Sequence, residues 1–258
     1  MNLQSPSTTP ILLDQHALFV GINGSGKSSR MELEAVWRLE RMARYSTSVY
    51  KMLIVDTKPI SYGQNDDYGH YAHLGGTIYR DWADIDLAAE KNRLIIYRPT
   101  ADLVNPEDFA GFFDKILSYR YKAANGNLSP LPMTVIIDEL IDIITSDTSR
   151  RTYIEGFTKM LSQGRSALQT LWILTQYPTY IDPSIKRNTR VDFVFRLPDE
   201  NDRKIMAGIV GSDLVRKPVR DRHGFWYFSD AIDSTMIAPW YYDGKKQDNV
   251  VPLRRKTA

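Results

Sequence analysis

The run Gly21-Ile22-Asn23-Gly24-Ser25-Gly26-Lys27-Ser28-Ser29 fits the spacing G-x-x-x-x-G-K-[ST], which binds phosphate. Its glycines let backbone N–H groups turn inward around an anion. The predicted nucleotide-binding residues are Gly21, Asn23, Gly24, Ser25, Gly26, Lys27, Ser28 and Ser29. Lys27 would reach the β- and γ-phosphates of ATP, and the Ser28 hydroxyl would bind Mg2+. A chance match in a glycine turn is the bland alternative. The residues on either side of the loop weigh against it.

A second group of residues suits work on the γ-phosphate. The apolar run Met133 to Ile137 delivers Asp138 and then Glu139. At the carboxyl end of a strand, Asp138 could hold the shell of the metal. Glu139 could then polarise an attacking water as general base. Taken alone, an acidic helix start would look the same; downstream of a phosphate loop, the metal and base reading takes precedence. Gln176 ends the run Ile173-Leu174-Thr175-Gln176. It could touch the γ-phosphate or its water, or simply satisfy backbone before Pro178.

These residues need strands and helices to hold them. Ala17 to Gly21 reads as the first strand and Met31 to Ala43 as an amphipathic helix, so the loop stands between strand and helix. Further strands are expected at Met52–Asp56, Leu94–Tyr97, Met133–Ile137, Thr170–Thr175 and Val191–Arg196. Helices are expected from Asn105 to about Ala124, from Tyr153 to Leu168, and from a cap at Asp199 through Ala207. Gly224 to Phe228 and Met236 to Tyr242 look like closing edge strands. Strands alternating with helices imply an α/β fold with a central, mostly parallel sheet. One domain is expected over residues 13–246, with a flexible lead-in at 1–12 and a polar tail at 247–258.

Composition excludes several classes. The chain has 33 Lys+Arg against 31 Asp+Glu, a net +2, so DNA contacts would have to come from local patches. It has no cysteine, which rules out disulfides and thiolate metal sites. No apolar run is long enough for a membrane span. The start of the chain lacks the basic and apolar regions of a signal peptide. His16, His70, His73 and His223 form no metal-ligand pattern. His70 and His73 could lie close together, as a solvated loop pair.

Three further segments carry a resemblance. They are Gln163-Gly164-Arg165-Ser166-Ala167, Leu171 to Pro178, and Ile185-Lys186-Arg187-Asn188-Thr189-Arg190. Together with Leu53 to Pro59 they resemble the FtsK/HerA superfamily of DNA-pumping ATPases, over about residues 17–200. The departures are Thr57 for the usual Pro, Tyr177 for the usual Arg, and Leu168-Gln169 for a Gly-Ile-His type turn. The motor core is expected to start close to Met1, with little after the closing strands. In that respect the chain is most similar to the genome-packaging ATPases of tailless, membrane-containing double-stranded DNA viruses.

The resemblance implies a P-loop domain of the RecA-like class with an additional strand and a catalytic Glu. It implies a homo-oligomeric ring, a hexamer, with ATP between subunits. Double-stranded DNA and capsid vertex or portal proteins are the implied partners, in host cytoplasm or virion, with no membrane span of the chain's own. Arg165 is the implied arginine finger for a neighbour's nucleotide; Arg190 and Arg196 are weaker candidates. A solvated helix-end cation is the bland reading of Arg165. Loops Lys58 to Tyr71 and Thr145 to Arg151 are candidate pore loops, with Lys58, Arg150 and Arg151 as phosphate grips. Ordinary surface charge would explain each of those three as well. An ATPase for secretion, phage assembly or plasmid transfer is the alternative function, and a P-loop small-molecule kinase a more distant one.

Overall fold

In the computed structural model of the protein, the described residues are 11, 14–45, 50–58, 69–99, 106–125, 131–140, 150–181, 183–211, 213–216, 218–220, 223–229 and 232–237. Nine strands among them form one sheet. They are β1 (Ala17–Val20), β2 (Lys51–Asp56), β3 (Thr77–Tyr79), β4 (Leu94–Tyr97), β5 (Met133–Asp138), β6 (Gln169–Thr175), β7 (Val191–Val194), β8 (Phe225–Ser229) and β9 (Ile232–Ile237). Their spatial order is β3-β4-β2-β5-β6-β1-β7-β8-β9. The first seven strands pair in parallel, and β8 and β9 close one edge antiparallel. The mostly parallel sheet with closing edge strands is the expected one. Strand β6 stands between β1 and β5, the position an additional strand occupies.

Strands β1, β2, β4, β5, β6 and β7 are buried along their whole length. That explains why residues 17–20, 52–55, 94–97, 135–137 and 171–174 read as unbroken apolar runs: helices cover both faces. Helix α1 (Lys27–Tyr45) lays Met31, Ala35 and Met42 against Phe19, Ile54, Trp172 and Phe193 on one face. Helices α2 (Pro106–Asn125) and α3 (Arg150–Gln163) cover the other. There Phe109, Phe112, Phe113, Phe157 and Leu161 pack on Leu53, Val135, Ile137 and Ile173. Short helix α4 (Pro183–Asn188), helix α5 (Glu200–Val210) and short α6 (Asp213–Arg216) complete the described helices. Asp199 caps α5 as expected, accepting from the Asn201 and Asp202 amides at 2.8 and 3.1 Å.

Several boundaries differ from the sequence reading. Helix α1 starts at Lys27 rather than Met31, because the Arg30 amide already bonds the Gly26 carbonyl at 2.9 Å. The expected helix through Leu168 ends at Gln163. A 3-10 turn, Gly164–Ala167, follows, and Leu168 adopts a left-handed φ of 56°. Gly164 allows this turn, since a Cβ there would lie 2.6 Å from the Gln169 carbonyl oxygen. Strand β3 was not expected: its three half-buried residues follow a glycine pair and carry no periodicity. The final strand is Ile232–Ile237, and residues 238–242 of the expected strand lie outside the described residues. Residues 1–10 of the expected lead-in and the whole tail at 247–258 lie outside them too.

The register fixes what meets at the carboxyl edge. Val20 pairs with Thr175 and Val194, and Asp138 pairs with Asp56 and Leu174. Gly21, Asp56, Asp138, Glu139, Gln176 and Phe195 therefore come to one edge, where open α/β sheets hold ligands.

Candidate nucleotide site

The glycine loop is anchored to the strands on both sides of β1. Gly21 N donates to the Thr175 carbonyl and Ile22 N to the Arg196 carbonyl, both at 3.2 Å. Gly24 and Gly26 take φ of 69° and 94°, a region L-residues with side chains avoid. At Gly26 a Cβ would also come 3.2 Å from His223 Nδ1. Buried Ser25 Oγ makes no hydrogen bond among the described residues. An orphaned hydroxyl inside an N–H cradle is what a phosphate-binding loop leaves for its ligand.

Lys27 folds back over the loop and donates to the Gly21 carbonyl and, at 3.1 Å, to that of Ile22. Burial lowers its pKa from 10.5 to about 8. The Lys58 charge pushes the same way, while Glu139 and Asp138 oppose it. A polyphosphate would restore the charge that burial disfavours.

The two carboxylates face different partners. Buried Asp138 Oδ2 accepts from the Tyr71 hydroxyl and lies 2.7 Å from Lys58 Nζ. The same Lys58 nitrogen donates to Ser28 Oγ at 2.6 Å. One cation thus touches both proposed metal ligands, so their oxygens suit a hard divalent ion. Burial, followed by the Asp138 charge, pushes the Tyr71 hydroxyl well above its ordinary pKa, so it remains a donor. Glu139 accepts from Thr175 Oγ1 at 3.0 Å and from the Gln176 amide at 3.4 Å. Burial raises its pKa, and hydrogen bonds from the Gln176 side chain and Thr175 limit the rise. Its φ of 75° is a left-handed conformation on a non-glycine residue, a strain concentrated at functional sites.

The structure gathers Lys27, Ser28, Asp138, Glu139 and Gln176 at the carboxyl edge. Arg165 is at the other end of the sheet, in the turn that leads into β6. The six residue steps from Gln169 to Thr175 span roughly 20 Å. Arg165 therefore cannot serve its own chain's loop. Arg190 is at the same distant edge, where its amide bonds the His16 carbonyl at 3.1 Å. Burial takes neighbouring His16 down to about 4, and its ring accepts from Leu171 N at 2.9 Å. Exposed Arg196 is beside the phosphate loop.

One expectation changes. Lys58 points toward Ser28 and Asp138 in the candidate site, rather than outward as expected of a DNA grip, and gives buried Asp138 a charge partner. Arg150 and Arg151 open α3, and residues 145–149 and 59–68 of the two candidate pore loops lie outside the described residues. His70 and His73 do come together, around Glu32, at 3.9 and 3.2 Å. No group of three or more His, Asp or Glu among the described residues could hold a metal ion.

Sequence reasoning missed Tyr71, Thr175, Arg98 and His223. Buried Arg98 pairs with Asp56 at 3.0 Å. Its guanidinium also donates to the Lys58 carbonyl at 3.3 Å, while Asp56 accepts from His70 N at 2.8 Å. The Asp56-Thr57-Lys58 triplet was the available signal; the partners come from segments too distant in sequence to be read.

No protein-family model matches the chain, and no curated protein matches it. Solved structures do resemble it. One is the DNA-packaging ATPase B204 of Sulfolobus turreted icosahedral virus, at 14% identity and TM-score 0.65, covering 90% of this chain and 99% of that one. The genome packaging NTPase B204 of Sulfolobus turreted icosahedral virus 2, in complex with AMPPCP, matches at 16% identity and TM-score 0.63, covering 88% and 98%. The pCW3 conjugation coupling protein TcpA, with ATPgS, matches at 15% and 0.59, covering 90% and 62%. At these identities the likeness shows a common fold.

Proposed function

We propose that the chain is an ATPase that drives double-stranded DNA into a preformed viral capsid. One observation carries this reading. The phosphate loop, Asp138 and Glu139 meet at one sheet edge, while Arg165 is held at the opposite edge. A site built that way would be completed by a second copy stacked edge to edge, and such a head-to-tail contact gives a ring when the rotation between copies closes. The B204 structures, two of them solved with nucleotide analogues, support the choice of a packaging motor.

In this reading residues 13–246 form the ATPase domain, and Lys27 and the loop amides bind the β- and γ-phosphates. Ser28 and Asp138 would hold Mg2+, whose charge would offset that of the phosphates. Glu139 would take the proton of the attacking water as the water oxygen bonds to the γ-phosphorus. The bond from the γ-phosphorus to the bridging oxygen breaks, leaving ADP and phosphate. The raised pKa suits Glu139 to that role. Gln176, bonded to Glu139, positions the base and senses the state of the γ-phosphate. Arg165 of the adjoining copy stabilises charge on the phosphoryl group in flight. A hexamer docked on a capsid vertex or portal, with duplex DNA in its channel, would use Arg150 and Arg151 as sequence-blind phosphate contacts. Host cytoplasm and virion are its expected locations. Among the described residues no helix is long and apolar enough to cross a membrane.

The likeness to TcpA favours a second reading, an ATPase for DNA transfer or secretion. ATP turnover measured with and without duplex DNA, and again with a free nucleoside, tests the proposal. Stimulation by duplex supports a DNA motor. Turnover that requires the nucleoside would instead identify a small-molecule kinase.

A further inference from the structure

Lys58 Nζ lies 2.6 Å from Ser28 Oγ and 2.7 Å from Asp138 Oδ2. Those two oxygens are the ones assigned to the divalent metal, so ammonium and metal share one set of donors. We propose that Lys58 is a built-in cation that competes with the metal, and that metal binding and Lys58 release are a single exchange. This rests on the nucleotide-hydrolysis reading of the site.

The energetics favour an exchange over a simple vacancy. The Asp138 side chain is 2% exposed, and a buried carboxylate without a counter-charge is costly. Its other partner, the Tyr71 hydroxyl, is a neutral donor. The Lys58 side chain, by contrast, is 27% exposed and has a flexible four-carbon stem. It can return to water at little cost. The site thereby keeps a positive charge between Ser28 and Asp138 whether or not metal is bound.

The backbone at Lys58 is fixed so that only the side chain needs to move. Arg98 donates to the Lys58 carbonyl at 3.3 Å and is held by Asp56 at 3.0 Å. Next to it, Thr57 Oγ1 donates to the Asp138 carbonyl at 2.8 Å. The Tyr71 ring stands 5.8 Å from Lys58 Nζ and attracts it weakly. Lys58 is thus a positioning residue: it preserves the spacing of the metal ligands and sets the metal concentration at which they are taken.

The test uses Mn2+ as probe with ADP-saturated full-length protein, read by electron paramagnetic resonance. ADP affinity in EDTA is measured alongside. A competitor that fills the site nine-tenths of the time weakens apparent metal affinity about tenfold. Lys58→Met should therefore tighten Mn2+ binding by about that factor, while Lys58→Arg, which keeps the charge, stays near the wild type. Unchanged or weaker Mn2+ binding in Lys58→Met, with ADP binding in EDTA intact, overturns the exchange. If the wild type binds no ADP under either condition, the nucleotide reading fails and this inference fails with it. Amine-labelling of the wild type keeps the test open should Lys58→Met not fold. Lys58 labelling of ADP-bound protein should rise when Mg2+ replaces EDTA, and labelling that stays constant or falls overturns the proposal.

Discussion

Lys27 should make nucleotide binding depend on pH in a defined way. The binding form is the ammonium, and burial lowers the free-state pKa to about 8 from 10.5. Bound phosphates favour the charged form and so raise that pKa again. With the free pKa depressed and the bound pKa raised, affinity is full below pH 8. It is lost as pH climbs from the free value toward the bound one. The loss runs at tenfold per unit, so affinity at about pH 9.5 should be about 30-fold weaker than at about pH 7. The ATP phosphates are already ionised over most of this range, which leaves the protein as the source. Titration of ADP binding by calorimetry in buffers of different ionisation enthalpy should show proton uptake above pH 8. Lys27→Arg, whose guanidinium does not titrate there, should give a weaker but flat profile. A wild-type affinity that stays level to pH 9.5 would refute the burial argument for Lys27.

Three other perturbations probe separate parts of the account. Arg165→Ala should cut ATP turnover of the assembled protein by about 10³ while leaving ADP affinity of the isolated chain within about twofold. Mixing Arg165→Ala chains with Lys27→Ala chains should restore turnover, because some seams then combine an intact loop with an intact arginine; no recovery refutes a shared site. Arg98→Met strands the buried Asp56 carboxylate and should cost about 3–5 kcal/mol in urea denaturation, with most of it regained in Asp56→Asn/Arg98→Met. Equal losses in the single and double variants would argue against the pair. Gly26→Ala forces a side chain onto a φ of 94° and toward His223 Nδ1. A melting-curve loss of about 1–2 kcal/mol is expected, together with weaker ADP binding.

What the sequence showed and what it hid have a common physical cause. The phosphate loop is local, since its spacing, strand and helix lie within one stretch of chain. Asp138 and Glu139 were legible because the apolar run at residues 135–137, buried in a parallel strand, stops at its charged end. Strand β3 was hidden because three half-buried residues carry no period. Lys58 read as a phosphate grip or as surface charge because nothing near it in sequence reveals a carboxylate reached only by β2 lying beside β5. Tyr71 looked like a loop aromatic for the same reason; its hydroxyl finds Asp138 only in the folded chain. Arg165 was named from the resemblance carried by its neighbouring residues, but only the sheet showed that it is too far from its own loop.

Translocation along duplex DNA is the movement that hydrolysis at a shared seam would drive. A third strand bound in the major groove downstream of the loaded protein serves as the reporter. ATP should drive its displacement by the wild type, and Glu139→Gln, which binds ATP without turning it over, should leave it in place. Displacement by Glu139→Gln, or steady DNA-stimulated hydrolysis by the wild type with the third strand still bound, would contradict a motor that converts hydrolysis at a shared seam into movement of DNA.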